Sequence, residues 1–485
     1  MTPELIFGTF LVYTLVIFVI SWITSRKADN QSFFIGNRKS PWFVVAYGMI
    51  GASLSGVTFI SIPGWVGTTQ FTYFVIVLGY VVGYAVISLV LLPVYYKLNL
   101  TSIYTYLDNR FGNRAYKTGS VFFLISRIIG ASFRMYLVVS VLQVFVFDHF
   151  HIPFWMTVVF FIILIQLYTM KGGIKTIVWT DTLQTTFMLA SVIVTIGLIL
   201  SRMDISLTGM IREVWQSDLS TILVSDTDSK QHFIKLFLSG MFITIVMTGL
   251  DQDMMQKNLS CKNLKDARKN MTTLSLILVP VNLIFLFLGA VLYIYAANAQ
   301  IQLPQQTDHL FPLIAFNHLG IVAGIVFIIG LISAAYSSAD SALTALTTSF
   351  SIDILELDKK YGENENLLKK KRQTIHLLMA LIIIFVIVLF GYINNQAVIA
   401  QLFTLAGYTY GPLLGLYAFG LFTKIDVKDK YIPFVAVIAP VLSWLISHYS
   451  TTLFNGYEIG FELLIINGIF TFAGLLLIRK ETKNI

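Results

Sequence analysis

The sequence predicts an all-α, polytopic membrane protein, and three observations predict it. Hydrophobic residues fill 56% of the 485 positions and charged residues only 12%, with a mean hydropathy of +0.78. A soluble domain does not carry that balance. Apolar runs long enough to cross a hydrocarbon layer of about 30 Å recur along the whole chain, thirteen in all, from residues 4–24 to residues 459–478. The basic residues then set an orientation. With the N-terminus outside, 27 of the 33 Lys and Arg fall in connections on the cytoplasmic side, Lys27, Arg38, Lys269 and Lys371 among them. Positive charge is retained inside, so the chain reads as N-out and C-in. The same loops explain the net charge of +8 without a nucleic-acid partner.

The first run follows Met1-Thr-Pro-Glu4, which has no positive leader region, and reads as a retained helix, not a signal peptide. Cys261 is the single cysteine, so no internal disulfide is expected. The second run carries Gly51, Ser53, Ser55, Gly56, Thr58, Ser61, Pro63 and Gly64. Glycine and proline weaken helical continuity, and an interrupted membrane helix exposes carbonyls able to bind a cation and hydroxyls able to bind a solute. The alternative is a kinked but continuous helix. The fourth run holds Arg127 and Arg134, seven residues apart on nearly one face. Arg134 falls near mid-span, where a guanidinium either grips a carboxylate or pairs with an internal acid such as Asp181. Asp181 itself lies in the inner third of the sixth run; it is either a cation ligand or the partner of a lysine. Asp251 to Lys257 is placed at the inner surface, where charges need no special role. Gly411-Pro412 marks a bend in a later run.

The stretch Leu331–Phe350 carries the sharpest signal. Ala334, Ser337, Ser338 and Ser341 recur at i, i+3, i+4 and i+7, with Asp340 beside them, on one face of an apolar helix. Such a face cannot meet lipid cheaply and belongs in the protein interior or a wet cavity. Hydroxyls and a carboxylate are hard oxygen ligands and suit sodium; small residues and serines also simply pack helices together. No HExxH, Walker loop or Gly-x-Ser-x-Gly elbow occurs, which argues against an enzyme or an ATP-driven pump.

Phe34-Ile-Gly-Asn-Arg38, Gly172-Gly173 to Trp179-Thr-Asp181-x-x-Gln184, Asp251-Gln252-x-x-x-Gln256-Lys257 and the Ser337-Ser338 stripe together resemble the sodium:solute symporter family, which includes sodium/galactose, proline and sialic acid symporters. The resemblance covers nearly the whole chain in order and spacing. It implies the leucine-transporter type fold: a 5+5 inverted repeat over residues 43–200 and 233–422, an extra first helix at 4–24 and two peripheral helices within 431–478. A first sodium would be held by carbonyls of Gly51, Leu54 and Ala334 and the hydroxyls of Ser337 and Ser338. A second would use Asp181, Ser338, Asp340 and Ser341, with Asp340 standing where such relatives carry serine.

The substrate set implied by the sialic acid branch is Ser53, Ser55, Thr58, Arg134 and, on the second core helix, Phe74. A polar partner is expected on that helix; neither Phe74 nor Val77 supplies one, and Tyr73 offers only a phenol near the outer end. The expected function is sodium-coupled symport of a small organic anion, sialic acid first, by a monomer in a bacterial cytoplasmic membrane. Symport of a neutral sugar or polyol, and a cation channel or sensor, are the alternatives.

Overall fold

The computed structural model describes residues 2–26, 29–393 and 398–480; Lys27 and the extreme C-terminus, and residue 397 at the start of one apolar run, lie outside them. Among the described residues the regular elements are all helices, with isolated bridges but no strand. The principal ones are α1 (Pro3–Ser25), α2 (Trp42–Thr69), α3 (Tyr73–Lys97), α4 (Asn113–Phe145), α5 (Phe154–Gly172) and α6 (Ile174–Met203). After an outer connection come α7 (Phe233–Gly249), α8 (Gln252–Leu259), α9 (Leu264–Asn298), α10 (Ile321–Ile354) and α11 (Glu365–Ile393). The chain ends with α12 (Val398–Thr409), α13 (Gly411–Phe422), α14 (Ile432–His448) and α15 (Leu463–Leu477).

Nine of the described helices are long and apolar enough to cross a membrane alone, and a tenth is added if α7 and α8 form one bent span. Shorter apolar helices, at Phe154–Met170, Gly411–Phe422 and Leu463–Leu477, lie on the remaining predicted runs. Burial separates a centre from a periphery. The apolar window of α2 is 83% buried and that of α10 is 72% buried, against 33% for α1, 39% for α11 and 22% for Asp429–His448. The peripheral helices expose Val12, Leu15, Leu381, Phe385, Phe434 and Val437, which suits a lipid-facing belt. The protein is a multi-pass membrane protein.

Two of the central helices are interrupted. In α2, Ser55 adopts φ 50° and ψ 175°, far from helical values, with helix on both sides. A left-handed φ on a residue with a side chain costs on the order of 1–3 kcal/mol, and the surrounding packing has to hold it there. The glycines and hydroxyl residues of this stretch therefore make a break, not a kink in a continuous helix. The second interruption separates α7 from α8 with a bend of 63°. Asp251 caps the new helix, its side chain accepting hydrogen bonds from the backbone N–H groups of Asp253 (2.9 Å) and Met254 (3.4 Å). The predicted bend at Gly411-Pro412 lies between α12 and α13, with the proline in the first turn, where its missing N–H costs nothing.

Gly51 fixes how closely α2 meets α6. Its N–H donates to Thr185 Oγ1 at 3.1 Å, and a Cβ at this position would run into the same oxygen. Overpacking of this kind costs ~1–3 kcal/mol. Gly51→Ala should therefore lower the thermal unfolding temperature of the purified chain, and adding Thr185→Ala should recover part of the loss. An additive double variant would show that the contact is not tight.

Candidate functional site

Every residue of α10 from Gly330 to Ser349 is buried, so the polar stripe faces protein on all sides. Ser337 donates its hydroxyl proton to Asp181 Oδ1 at 2.7 Å, and Lys257 Nζ donates to Asp181 Oδ2 at 2.7 Å. The lysine and the aspartate side chains are each 1% exposed. Asp181 thus ties three helices, α6, α8 and α10. Asp340 takes a different set of partners: Tyr168 donates its phenol proton to Oδ2 at 3.0 Å, and the backbone N–H of Ser341 donates to Oδ1 at 2.6 Å. Among the described residues no cationic side chain forms an ion pair with Asp340. Ser338 Oγ is buried with no hydrogen-bond partner.

These donors fit a hard monovalent cation. Ser337 spends its proton on Asp181 and keeps its lone pairs, while Ser338 presents an oxygen whose burial without a partner costs ~1–3 kcal/mol. Helix α10 packs against α2, whose break at Ser55 turns nearby carbonyls off the helical path. Among the described residues no cluster of three or more His, Cys, Asp or Glu could hold a transition metal.

A cavity opens beside the break. Ser53, Leu54, Ser55 and Thr58 line one wall, and Arg134 and Arg127 line another. Four of the five predicted substrate residues therefore share one space, and Phe74 is the exception. It packs against the core, while Tyr73, Tyr80 and Tyr84 bring α3 to the cavity. Asn282 of α9, Thr244 and Thr248 of the α7 end, and Phe403 of α12 complete the walls. The periodicity of α3 carried a signal for its three tyrosines, since positions 73, 80 and 84 fall on one helical face.

The two arginines differ in their partners. Arg127 pairs with Asp253 and lies 3.8 Å from Asp251 Oδ2, so it is held by the N-terminal turn of α8. Arg134 forms no ion pair among the described residues, and its Nε is buried without a partner. The internal pairing considered for Arg134 with Asp181 does not form; Asp181 has Lys257 instead.

The stretch from Asp251 to Lys257 needs a correction. Placed by sequence at the inner surface, it is wholly buried. The 63° bend turns α8 back under α2 and α10 instead of releasing it to water, and each polar head then needs a partner. Gln252 accepts from the Ile103 N–H at 3.0 Å and donates to the Thr101 carbonyl at 2.8 Å. Gln256 donates to the Phe34 carbonyl and to Thr348 Oγ1. Apolar content alone gave no sign of the bend.

The model of the family described as "Sodium:solute symporter family" matches residues 33–425. The chain belongs to that family. Its members couple solute transport to sodium, and this symporter is not an enzyme. The sodium/sialic acid symporter NanT of Aliivibrio fischeri is 26% identical over 463 residues, covering 93% of this chain and 89% of the relative. The sodium/sialic acid symporter SiaT of Proteus mirabilis is 25% identical over 444 residues, covering 89% and 87%. A solved structure of a substrate-bound, outward-open Na+-coupled sialic acid symporter aligns with a TM-score of 0.82 at 20% identity, covering 99% of each chain. That likeness shows a shared fold, of the leucine-transporter type.

The Asp181–Lys257 contact of this symporter makes a quantitative statement testable. Removing one partner of a buried ion pair strands the other and costs ~3–5 kcal/mol, whereas removing both costs far less. Lys257→Met should be severely destabilised in thermal unfolding, and Lys257→Met with Asp181→Asn should lie closer to wild type. Equal losses in the two variants would mean that the pair does not carry the contact.

Proposed function

We propose that the protein imports a small organic anion together with sodium by alternating access, and that the anion is sialic acid, N-acetylneuraminate. The observation that carries this is Arg134, a buried guanidinium with no carboxylate partner among the described residues, in one cavity with Ser53, Ser55 and Thr58 of the broken helix. A fixed cation without a counter-charge is costly inside a membrane protein, and a carboxylate ligand would remove the cost through paired N–H···O bonds. The hydroxyls of α2 would take the remaining carboxylate lone pairs, and the phenols of α3 would face the hydroxylated body. A neutral sugar could accept hydrogen bonds from Arg134 but would leave its buried charge unbalanced. The names of the two bacterial relatives support the same substrate.

The first sodium sits between α2 and α10 in this reading, held by the carbonyls of Gly51, Leu54 and Ala334 and the hydroxyls of Ser337 and Ser338. A second uses Asp181, Ser338, Asp340 and Ser341. With both carboxylates ionised against the one ammonium of Lys257, a negative charge remains for a cation to balance. Residues 43–200 and 233–422 form the two inverted repeats, each beginning with a broken helix. The chain crosses a bacterial cytoplasmic membrane thirteen times, N-out and C-in, and works as a monomer. Sodium binding holds the outward-open state and so favours substrate, and substrate favours sodium to the same degree.

In proteoliposomes, wild type should show saturable, sodium-dependent uptake of labelled N-acetylneuraminate with counterflow, which a channel lacks. Arg134→Ala should abolish that uptake, and undiminished uptake would refute the anion site. Ser337→Ala with Ser338→Ala should remove the sodium dependence; if the dependence survives, the first sodium lies elsewhere. Asp340→Ala should flatten the steepness of the sodium response while leaving some sodium-driven uptake, and an unchanged steepness would remove the second site.

A further inference from the structure

Helix α9 begins at the basic end of the molecule, and one face of it changes chemistry along its length. Lys265, Lys269, Thr272, Leu276 and Leu283 fall within about 60° of one another around the helix axis. All five are exposed, Leu276 at 64%. The order along the face is ammonium, ammonium, hydroxyl, then hydrocarbon. Leu276 stands about 10 Å beyond Lys269 at the helical rise of 1.5 Å per residue, so charge gives way to apolar surface within two turns.

A cavity opens on the basic part of that face. Trp42, the first residue of α2, closes one side of it, and Lys265, Arg268, Lys269, Thr272 and Thr273 form the other. Lys269 Nζ lies 5.6 Å from the centre of the Trp42 ring, within reach of a cation–π contact. Among the described residues none of the three cations has an ion-pair partner. Asp266 is turned about 100° from Lys265 around the helix and does not line the cavity. Three positive charges are therefore gathered without a counter-charge where the apolar surface begins, beside an indole of the kind that favours a membrane interface. A cavity between α4 and α14 that also holds basic residues differs, because its Lys117 is already paired with Glu356 at 2.6 Å.

We propose that the cavity on α9 binds the headgroup of an anionic phospholipid. The phosphate lies among Lys265, Arg268 and Lys269, the ester region meets the hydroxyls of Thr272 and Thr273, and an acyl chain runs along Leu276 and Leu283. Basic side chains at a membrane surface attract anionic lipid, and here the lipid's own order of groups is repeated along the helix. A soluble anion would use the charges and leave the apolar continuation of the face without a role. A zwitterionic lipid would bring its own ammonium against the lysines. The bound lipid bridges α9 to the start of α2, over a seam where the Ser40 N–H donates to the Ser260 carbonyl at 3.1 Å. Arg268 Nε donates to the Ser88 carbonyl after α3 has begun its last turns, at 3.0 Å, which leaves its terminal N–H groups for the phosphate. Three helices are thus held together by one headgroup.

Native mass spectrometry of the purified full chain, titrated in turn with phosphatidylglycerol and phosphatidylcholine of the same acyl chains, tests it. Wild type should retain phosphatidylglycerol several-fold more tightly than phosphatidylcholine. Lys265→Gln with Lys269→Gln, both at exposed positions, should erase that preference. Lys359→Gln with Lys360→Gln, which removes the same charge from the exposed connector after α10, should keep it. Equal loss in the two double variants would trace the preference to net charge and overturn the site, as would a wild type that holds both lipids equally. In thermal unfolding, phosphatidylglycerol should raise the midpoint of wild type more than that of Lys265→Gln with Lys269→Gln. Inorganic phosphate that raises it as far as the lipid does would show a simple anion site and overturn the lipid.

Discussion

The Asp181 carboxylate is the constraint on which the rest of the centre depends. It is buried, and a buried charge persists only with partners that repay its lost hydration. One oxygen receives the ammonium of Lys257 and the other the hydroxyl of Ser337. Those two bonds fix the rotation of α10 about its axis and the depth of α8. They also fix what Ser337 can still do, because a hydroxyl that has donated its proton presents only lone pairs to anything on its other side. A cation placed there and the carboxylate behind it are then linked through one oxygen atom, and each stabilises the geometry the other needs.

The second break takes up one of the two arginines of α4 and leaves the other without an ion pair among the described residues. At the second break, the N-terminal turn of α8 presents its backbone N–H groups, with Asp251 as cap, and Arg127 binds the acidic residues gathered there. Arg127 is consumed by that task. Arg134, two turns further along α4, is left facing the cavity beside the first break. Both arginines are buried to a similar degree, so burial alone does not separate them. Their neighbours on α8 do.

The sequence made the periodic features legible and left the tertiary ones dark. The stripe from Ala334 to Ser341 was readable because i, i+3, i+4 and i+7 fall on one face whatever surrounds the helix. The break near Ser55 was readable because glycines, hydroxyls and a proline crowd one apolar run. The placement of Arg134, Ser53, Ser55 and Thr58 together was implied by the family resemblance, and Phe74 lies off the cavity they line because a one-residue step along α3 turns a side chain by about 100°. That step separates the half-buried Phe74 from Tyr73, which lines the cavity. The burial of Asp251 to Lys257 was illegible for a deeper reason. A polar segment at the end of an apolar run has the same composition whether it emerges into water or folds back, and only the partners supplied by Phe34, Thr101, Ile103 and Thr348 decide which.

Those partners also set how the basic end of the molecule can open. Gln252 bonds the loop after α3, Gln256 bonds Phe34 and Thr348, Lys257 bonds Asp181, and the Ser40 N–H donates to the Ser260 carbonyl at 3.1 Å. Each of the bonds between neutral groups is worth ~0.5–1.5 kcal/mol net and the charged pair more, yet breaking one without replacing it by water exposes a buried group at full cost. Opening from one edge would strand the remaining groups in a dry interior, so the least costly separation of α8 from its neighbours is one in which water reaches all of them together. A movement of that kind necessarily pulls Lys257 from Asp181. The freed carboxylate would then favour the nearest cation and hold it back. Were sodium bound beside Asp181, as proposed, its release at this end would need water to enter with it and take the place of the lost protein partners.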